Sequence, residues 1–271
     1  MTSIILTIHN KAFLLPDVLA GIKNNAIGNY EIIFVLDGCT DSSPQMVEYF
    51  CTNNPRIKTT VIDAPNVFET KANNLALRAS TGSHIIIVQD DQIITEAGWN
   101  QKLLKPFFQF EDVFAVTARC AHSWRVNEQS VDLHSSSFDG NRWADILHHT
   151  NHADKSNISR DTFAVRDTVN RGPLAINRAD LEAMGYLDEI YEPQGFDEHD
   201  LMYRMKSKLG KVCGFYNIDW YSKPEYGGTR NEDGSTKKWM LEADWKNSKI
   251  FYERHKNAML LPAITENRII K

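Results

Sequence analysis

Cysteine is sparse in this chain: Cys39, Cys51, Cys120 and Cys213 are the four among 271 residues, and no two of them form a CxxC pair. Such scatter suggests neither a zinc knuckle nor a disulfide framework, and it fits a reducing cytoplasm. A surplus of positive charge is missing too. With 30 basic residues against 35 acidic ones and a formal charge of −5, there is no electrostatic reason to bind a polyanion, so nucleic acid is not an expected partner. No apolar stretch is long enough for a membrane span, and the opening MTSIILTIHNKAF lacks the basic region of a signal peptide. The expected setting is therefore cytoplasmic, either soluble or peripheral at a membrane. Internal repeats and low-complexity segments are absent as well. What is present is a 42 % hydrophobic composition, enough for one sizeable α/β core.

Along the first half, β-like apolar runs alternate with helical patterns. SIILTI is followed by a helical segment over 14–24, YEIIFVLD by one over 44–53, IKTTVIDA by one over 71–79, and HIIIVQDD closes the series. That rhythm implies right-handed βαβ units and a mostly parallel sheet. The unbroken apolar runs IIFVLD and IIIV predict strands covered on both faces. Ligands of open α/β sheets bind at the carboxyl ends of the strands, where Asp37, Asp90 and Asp91 fall. Residues 118–170 are polar and weakly periodic, and predict a long surface excursion. Helices resume over 178–184 and 198–209; YGGTRNEDGSTKK predicts a mobile loop, and a last helix spans about 239–256.

Three motifs carry candidate chemistry. The pair Asp90–Asp91 suits either a solvated turn or helix cap, or a divalent-cation site, because Mg²⁺ and Mn²⁺ choose carboxylate oxygens and complete their shell with phosphates and water. In VLDGCTD, an Asp-Gly turn with Thr40 or Asp41 capping the next helix accounts for the pattern without excluding Asp37 from a ligand site. In GFDEHDL, Asp197, Glu198 and Asp200 crowd a helix start, which favours acids through its dipole. One of them held near an acceptor hydroxyl can also act as a general base.

Taken together, TIHN, LDGCTD, ETKANNLALRASTG, the strand ending in QDD and the downstream GPLAINR, GYLDE and DEHDL resemble family 2 of the inverting glycosyltransferases, over about residues 1–210. The resemblance implies a GT-A fold, with a mostly parallel central sheet flanked by helices and a C-terminal acceptor-side extension. It further implies a single domain with a nucleotide-sugar half over 1–110, an acceptor and catalytic-base half over 111–220, and a C-terminal loop and helix over 221–271. By the same resemblance Thr7, His9, Asn10 and Asp37 surround the base and ribose, and Lys71 and Asn74 lie near the diphosphate. Asp91 matches the last aspartate of the family's D-x-D metal motif, with Asp90 beside it, so Mn²⁺ or Mg²⁺ is the implied cofactor. The chain departs from that motif at its first position, which is Gln89. Glu198 aligns with the catalytic base, supported by Asp197 and Asp200.

The implied partners are a nucleoside-diphosphate sugar donor and a glycan or lipid-linked acceptor. The residue types suit that chemistry: a cation offsets charge on the departing diphosphate, and one carboxylate takes the acceptor's proton in a single inverting displacement. The resemblance further implies a metal or diphosphate contact after the base motif, for which Lys223, Thr229 and Arg230, on a loop able to close over the donor, are the candidates. Trp124, Trp143, Trp220 and Tyr221 suit either sugar stacking or packing. His148, His149 and His152 in LHHTNH invite a zinc reading, since His148 and His152 would share a helical face, but no Glu follows His148 as HExxH needs. A polar surface or acceptor-contact segment is the reading adopted for them. Two rivals remain: a catalytically inactive nucleotide-sugar or glycan-binding module, favoured by Gln89, and a sugar nucleotidyltransferase, which TIHNKAF disfavours for want of a Gly-rich phosphate loop.

Overall fold

The computed structural model describes residues 1–124, 143–148, 157–231 and 233–271, with only the backbone of Trp124, residues 143–148 and Pro224. Its first part follows the expected alternation: β1 (Thr2–Ile8), α1 (Leu15–Asn25), β2 (Tyr30–Asp37), α2 (Ser43–Asn53), β3 (Lys58–Ala64), α3 (Phe68–Ala79) and β4 (His84–Gln89). These four strands are parallel, in the order β3-β2-β1-β4. Alternate side chains of each strand point to opposite faces, and both faces are covered. Ile4, Leu6, Ile32, Phe34, Ile86 and Val88 pack with α1 and α2 in one core, whereas Ile5, Ile33, Val35, Ile85 and Ile87 pack with α3 in the other. Helix α1 presents Leu15, Val18, Leu19 and Ile22 on one stripe, and Pro16 in its first turn suits the helix start. Helix α3 comes close to the sheet because Ala72 and Ala76 are its contacts.

Beyond β4 the chain forms β5 (Ile93–Ile94), α4 (Trp99–Lys102), α5 (Lys105–Gln109), β6 (Val113–Thr117), β7 (Cys120–Trp124), β8 (Trp143–His148), β9 (Thr162–Arg166), β10 (Thr168–Asn170) and β11 (Leu174–Asn177). Then come α6 (Arg178–Met184), α7 (Asp197–Leu209), β12 (Val212–Phe215), β13 (Trp220–Tyr221), α8 (Lys238–Met259) and β14 (Glu266–Ile269). They extend the sheet to nine strands, in the order β14-β9-β12-β6-β11-β4-β1-β2-β3. The added part is mixed: β11 runs antiparallel to β4 and β6, β12 is parallel to β6, and β9 and β14 are antiparallel. The 221–271 segment is thus not merely an appendage, since β14 returns to close the sheet's edge.

Two expectations need correction. Residues 118–170 are no surface excursion throughout: β9 is buried along its whole length in the central sheet, and β10-β7-β8 make a second, three-stranded sheet. Strands of three to six residues leave too short a pattern to be read as periodic. His148 ends strand β8, so the helical face proposed for it with His152 does not exist at that residue; His149 and His152 lie outside the described residues. The loop expected over 226–238 carries one isolated antiparallel bridge, between Arg230 and Thr236. Its tip is set by Asp233, whose Oδ1 accepts from the Ser235 backbone N–H at 2.9 Å, and by Gly234 at φ +81°. No helix among the described residues is long and apolar enough to cross a membrane.

Candidate active site

The carboxyl ends of β1, β2 and β4, the start of α7, residues 227–230 and 236–237, and one face of α8 enclose a cleft of about 830 Å³. All three sequence segments, 1–110, 111–220 and 221–271, contribute to its wall. At the end of β1, Thr7 and His9 border the cleft. The His9 ring donates from Nδ1 to the Asp37 carbonyl at 2.5 Å, and its backbone N–H donates to Asp90 Oδ2 at 3.1 Å. Asn10, at φ +51°, is a loop brace: its side-chain oxygen accepts from the backbone N–H groups of Thr40 and Asp41 at 2.7 and 3.2 Å, and it does not border the cleft.

Asp37 does border it, and it also accepts from the Val67 and Phe68 backbone N–H groups at 2.6 and 2.9 Å, satisfying donors at the start of α3. Asp41 behaves as the turn reading expects, accepting from Ala12 and Ser43 N–H groups, both at 2.9 Å. Lys71 and Asn74 are placed away from the cleft. Lys71 is ion-paired with Glu192 on the surface. Asn74 is fully buried; its amide donates to the Leu187 carbonyl at 2.9 Å and accepts from the Leu187 N–H at 3.1 Å.

The end of β4 is a reverse turn held by Gln92, whose amide oxygen accepts from the Gln89 N–H at 3.1 Å while its nitrogen donates to the Gly172 carbonyl. That turn aims Asp90 and Asp91 into the cleft. Burial, reinforced by Asp91 alongside, pushes the Asp90 carboxyl up to about 7 against the pull of Lys11 Nζ, 3.7 Å away. Asp91 Oδ1 is buried and has no hydrogen-bond partner among the described residues. Burying a carboxylate oxygen unpaired is costly, so this atom is set for a ligand that brings positive charge. A divalent cation fits there, although no group of three or more His, Cys, Asp or Glu side chains among the described residues could hold one alone. For such an ion these two carboxylates would be only part of the shell, with phosphate oxygens and water completing it.

Gln89, at the departed position of the motif, is not a free ligand: its amide nitrogen donates to Glu69 Oε1 at 3.0 Å and its oxygen accepts from Arg119. Glu69 lies 3.5 Å from Arg171, whose Nη2 contacts both Asp197 and, at 2.6 Å, Glu198. A continuous polar chain therefore joins the tip of β4 to the start of α7. Asp197 is fully buried behind the wall and also accepts from the Thr70 hydroxyl at 2.9 Å. Burial, with Glu198 adjacent, holds the Asp197 carboxyl well above the usual range; for Glu198, burial is outweighed by Arg171, which keeps it well below. Glu198 is thus the ionised partner, and it borders the cleft. Asp200 points elsewhere, accepting from Arg204 at 2.6 Å, His255 at 2.8 Å, Arg254 at 2.9 Å and the Tyr191 hydroxyl at 3.2 Å, which locks α7 to α8.

Among the charged residues bordering the cleft, the sequence assigns no role to Lys11, Glu69, Arg119, Arg171, Lys237 and Asp244. Lys11 was within reach, immediately after TIHN, but the others are single charged residues with no local pattern to join them. Asp244, on α8, forms no hydrogen bond or ion pair among the described residues, and burial with Glu198 nearby pushes its carboxyl up to about 6 against Arg230. Thr229 and Arg230 border the cleft; Lys223 is exposed beside the Tyr221 and Tyr226 rings instead. Trp220 is buried, its Nε1–H donating to the Ala118 carbonyl at 2.9 Å, and serves packing. Trp124 and Trp143 are register partners in the smaller sheet.

The sequence model of glycosyl transferase family 2 matches residues 3–166, more than half of the chain. The chain belongs to that family. Glycosyltransferase GlyG of Streptococcus pneumoniae is 29 % identical over 97 residues, 35 % of this chain and 32 % of GlyG, so the match spans about a third of that relative. Among solved structures, S. aureus TarS superposes with a TM-score of 0.54 at 14 % identity, over 83 % of this chain and 37 % of TarS. The mannosyltransferase PcManGT of Pyrobaculum calidifontis, solved with GDP-Man and Mn²⁺, gives 0.54 at 16 % identity over 96 % and 76 % of the two chains. GalNAc-T7, solved with UDP, GalNAc and Mn²⁺, gives 0.63 at 13 % identity over 97 % and 52 %. At such identities the likeness establishes the GT-A fold alone. Within this family-2 chain the match ends at Arg166, so Arg171, Glu198 and Asp244 lie beyond it and their assignment rests on their own geometry.

Proposed function

We propose that the chain is a metal-dependent, inverting glycosyltransferase, moving a sugar from a nucleoside-diphosphate donor to a hydroxyl of a glycan or lipid-linked acceptor. The observation that carries this reading is one cleft bordered by an unpartnered buried Asp91 carboxylate oxygen at a parallel strand's carboxyl end and by the ionised Glu198. Thr7, His9 and Asp37 border the nucleotide's place, and Asp90 and Asp91 would hold Mn²⁺ or Mg²⁺. Such an ion, when bound, offsets the charge that develops on the departing diphosphate.

Glu198 accepts the acceptor hydroxyl's proton as that oxygen bonds to the anomeric carbon. The carbon–oxygen bond to phosphate breaks on the opposite side, its electron pair leaving with the diphosphate, and one displacement inverts the centre. Arg171 keeps Glu198 ionised but makes it a weak base at rest. The transfer becomes favourable late, once the attacking oxygen carries positive charge. A thermal-shift screen with UDP, GDP, dTDP and CMP, each with and without Mn²⁺, tests the donor site, because a ligand of the native state raises its melting temperature. A shift with one nucleotide that grows with Mn²⁺ is expected; no shift with any would abandon this reading.

A further inference from the structure

The cations of the cleft differ in how they are compensated. Lys11 faces Asp90 at 3.7 Å, and Arg171 is paired with Asp197 and Glu198. Arg119 also borders the cleft, yet among the described residues it forms no ion pair. One of its terminal nitrogens donates to the Gln89 amide oxygen and, at 3.4 Å, to the Arg171 carbonyl, both neutral acceptors. Its Nη2 and Nε carry no hydrogen bond among the described residues. Gln89 is in turn oriented by Glu69 at 3.0 Å, which fixes which end of the amide meets Arg119. An aspartate at position 89 would neutralise Arg119; the amide anchors the guanidinium and leaves its charge uncompensated. Arg119 is thus a preorganised cation with free donors in the cleft that Asp90 and Asp91 also line, and a guanidinium of that kind matches the oxygens of a phosphate.

We propose that Arg119, held by Gln89, is a built-in contact for the donor's diphosphate, giving the site nucleoside-diphosphate affinity that persists without a divalent cation. This rests on the reading of the cleft as a nucleotide-sugar site. Isothermal titration of the full chain with UMP, UDP and GDP, in EDTA and in Mn²⁺, tests it. Wild type is expected to bind UDP or GDP in EDTA, with UDP gaining over UMP if the uracil nucleotide is the one accepted. Arg119→Gln should weaken metal-free diphosphate binding by about tenfold or more, the loss typical of a charged hydrogen bond, with its melting temperature unchanged when unliganded. Arg119→Lys, which keeps the charge, should retain part of that affinity. Binding that needs Mn²⁺ in wild type, metal-free affinity unchanged in Arg119→Gln, or an equal loss in both variants would each overturn the proposal while leaving the donor site standing. Absence of binding to UDP and GDP under either condition, and to dTDP and CMP titrated in the same way, would instead overturn the donor-site reading, and this proposal with it.

Discussion

The two acidic clusters of the cleft are built on opposite principles. At the end of β4, Asp91 has a buried oxygen without a partner among the described residues, and Asp90 has a lysine at the outer limit of an ion pair. At the start of α7, Asp197 and Glu198 share one fully buried arginine, and Asp200 collects four donors. Acidic residues at a strand end and at a helix start look alike as sequence, but the first group is left open to a ligand whereas most of the second is consumed by the fold. The same substitution should therefore cost binding at one cluster and stability at the other.

The sharpest break of that comparison is at Arg171. Arg171→Met leaves Asp197 and Glu198 buried without their cation, and removing one partner of a buried pair typically costs about 3–5 kcal/mol. Urea unfolding should show a loss of that order, or no folded protein at all. Stability close to wild type would mean that Glu198 also takes up a proton once the arginine is gone. Glu198→Gln is the milder cut, since an amide still accepts from Arg171. It should retain nucleotide binding while losing sugar transfer by roughly 10²-fold or more. Normal turnover would remove Glu198 as the base; Glu69 and Asp244 are then the carboxylates left on the cleft wall beside Asp37, Asp90 and Asp91, because Asp197 and Asp200 do not border it.

Asp91→Asn, at the open cluster, is expected to leave the melting temperature nearly unchanged, since no hydrogen bond is lost. It should abolish the Mn²⁺-dependent part of the shift produced by a nucleoside diphosphate. An undiminished Mn²⁺ effect would move the metal away from this pair. Asp200 supplies the contrasting pH test. Burial alone would raise its carboxyl, but the hydrogen bond from His255 together with Arg204 and Arg254 holds it at about 2, against 3.8 for an ordinary aspartate. The unfolded chain binds more protons between those values, so this contribution is complete above about pH 4 and is lost as pH falls toward 2. It is worth roughly 2 kcal/mol. Asp200→Asn should flatten that acid limb of the stability curve; an unchanged limb would assign acid unfolding to other groups.

How far the sequence discloses this arrangement depends on how local each signal is. The β1–β4 half was legible because IIFVLD and IIIV are long, doubly covered strands separated by helices with clear stripes. Thr7, His9, Asp37, Asp90 and Asp91 sit at strand ends, and strand ends can be read directly. The short strands β7 to β10 were not legible, since three to six residues show too little period and Arg166 is buried inside one of them. Asn10, Lys71 and Asn74 come from stretches that approach the cleft, but which side of a loop or helix turns inward depends on packing against Thr40, Glu192 and Leu187. Arg119, Arg171 and Asp244 meet there only because β6, β11 and α8 converge in space.

Asp244 tests whether the α8 wall of the cleft also keeps one acid open. Its carboxyl, pushed up to about 6 from 3.8, means that the native state binds more protons than the unfolded chain between those values. A buried acid of this kind favours folding less as pH rises from about 4 to about 6, the opposite sign to Asp200. At pH 7 the ionised group is an unpaired charge beside Glu198, relieved only in part by Arg230. Because the residue is partly exposed, solvent screening reduces the penalty to the order of 1 kcal/mol. Asp244→Asn should accordingly raise stability by about that much at pH 7 and by nearly nothing at pH 4. Urea unfolding of both proteins at the two pH values reads the difference directly. A gain of equal size at both would trace to packing rather than charge, and Asp244 would then join Asp197 and Asp200 as an acid the fold has absorbed.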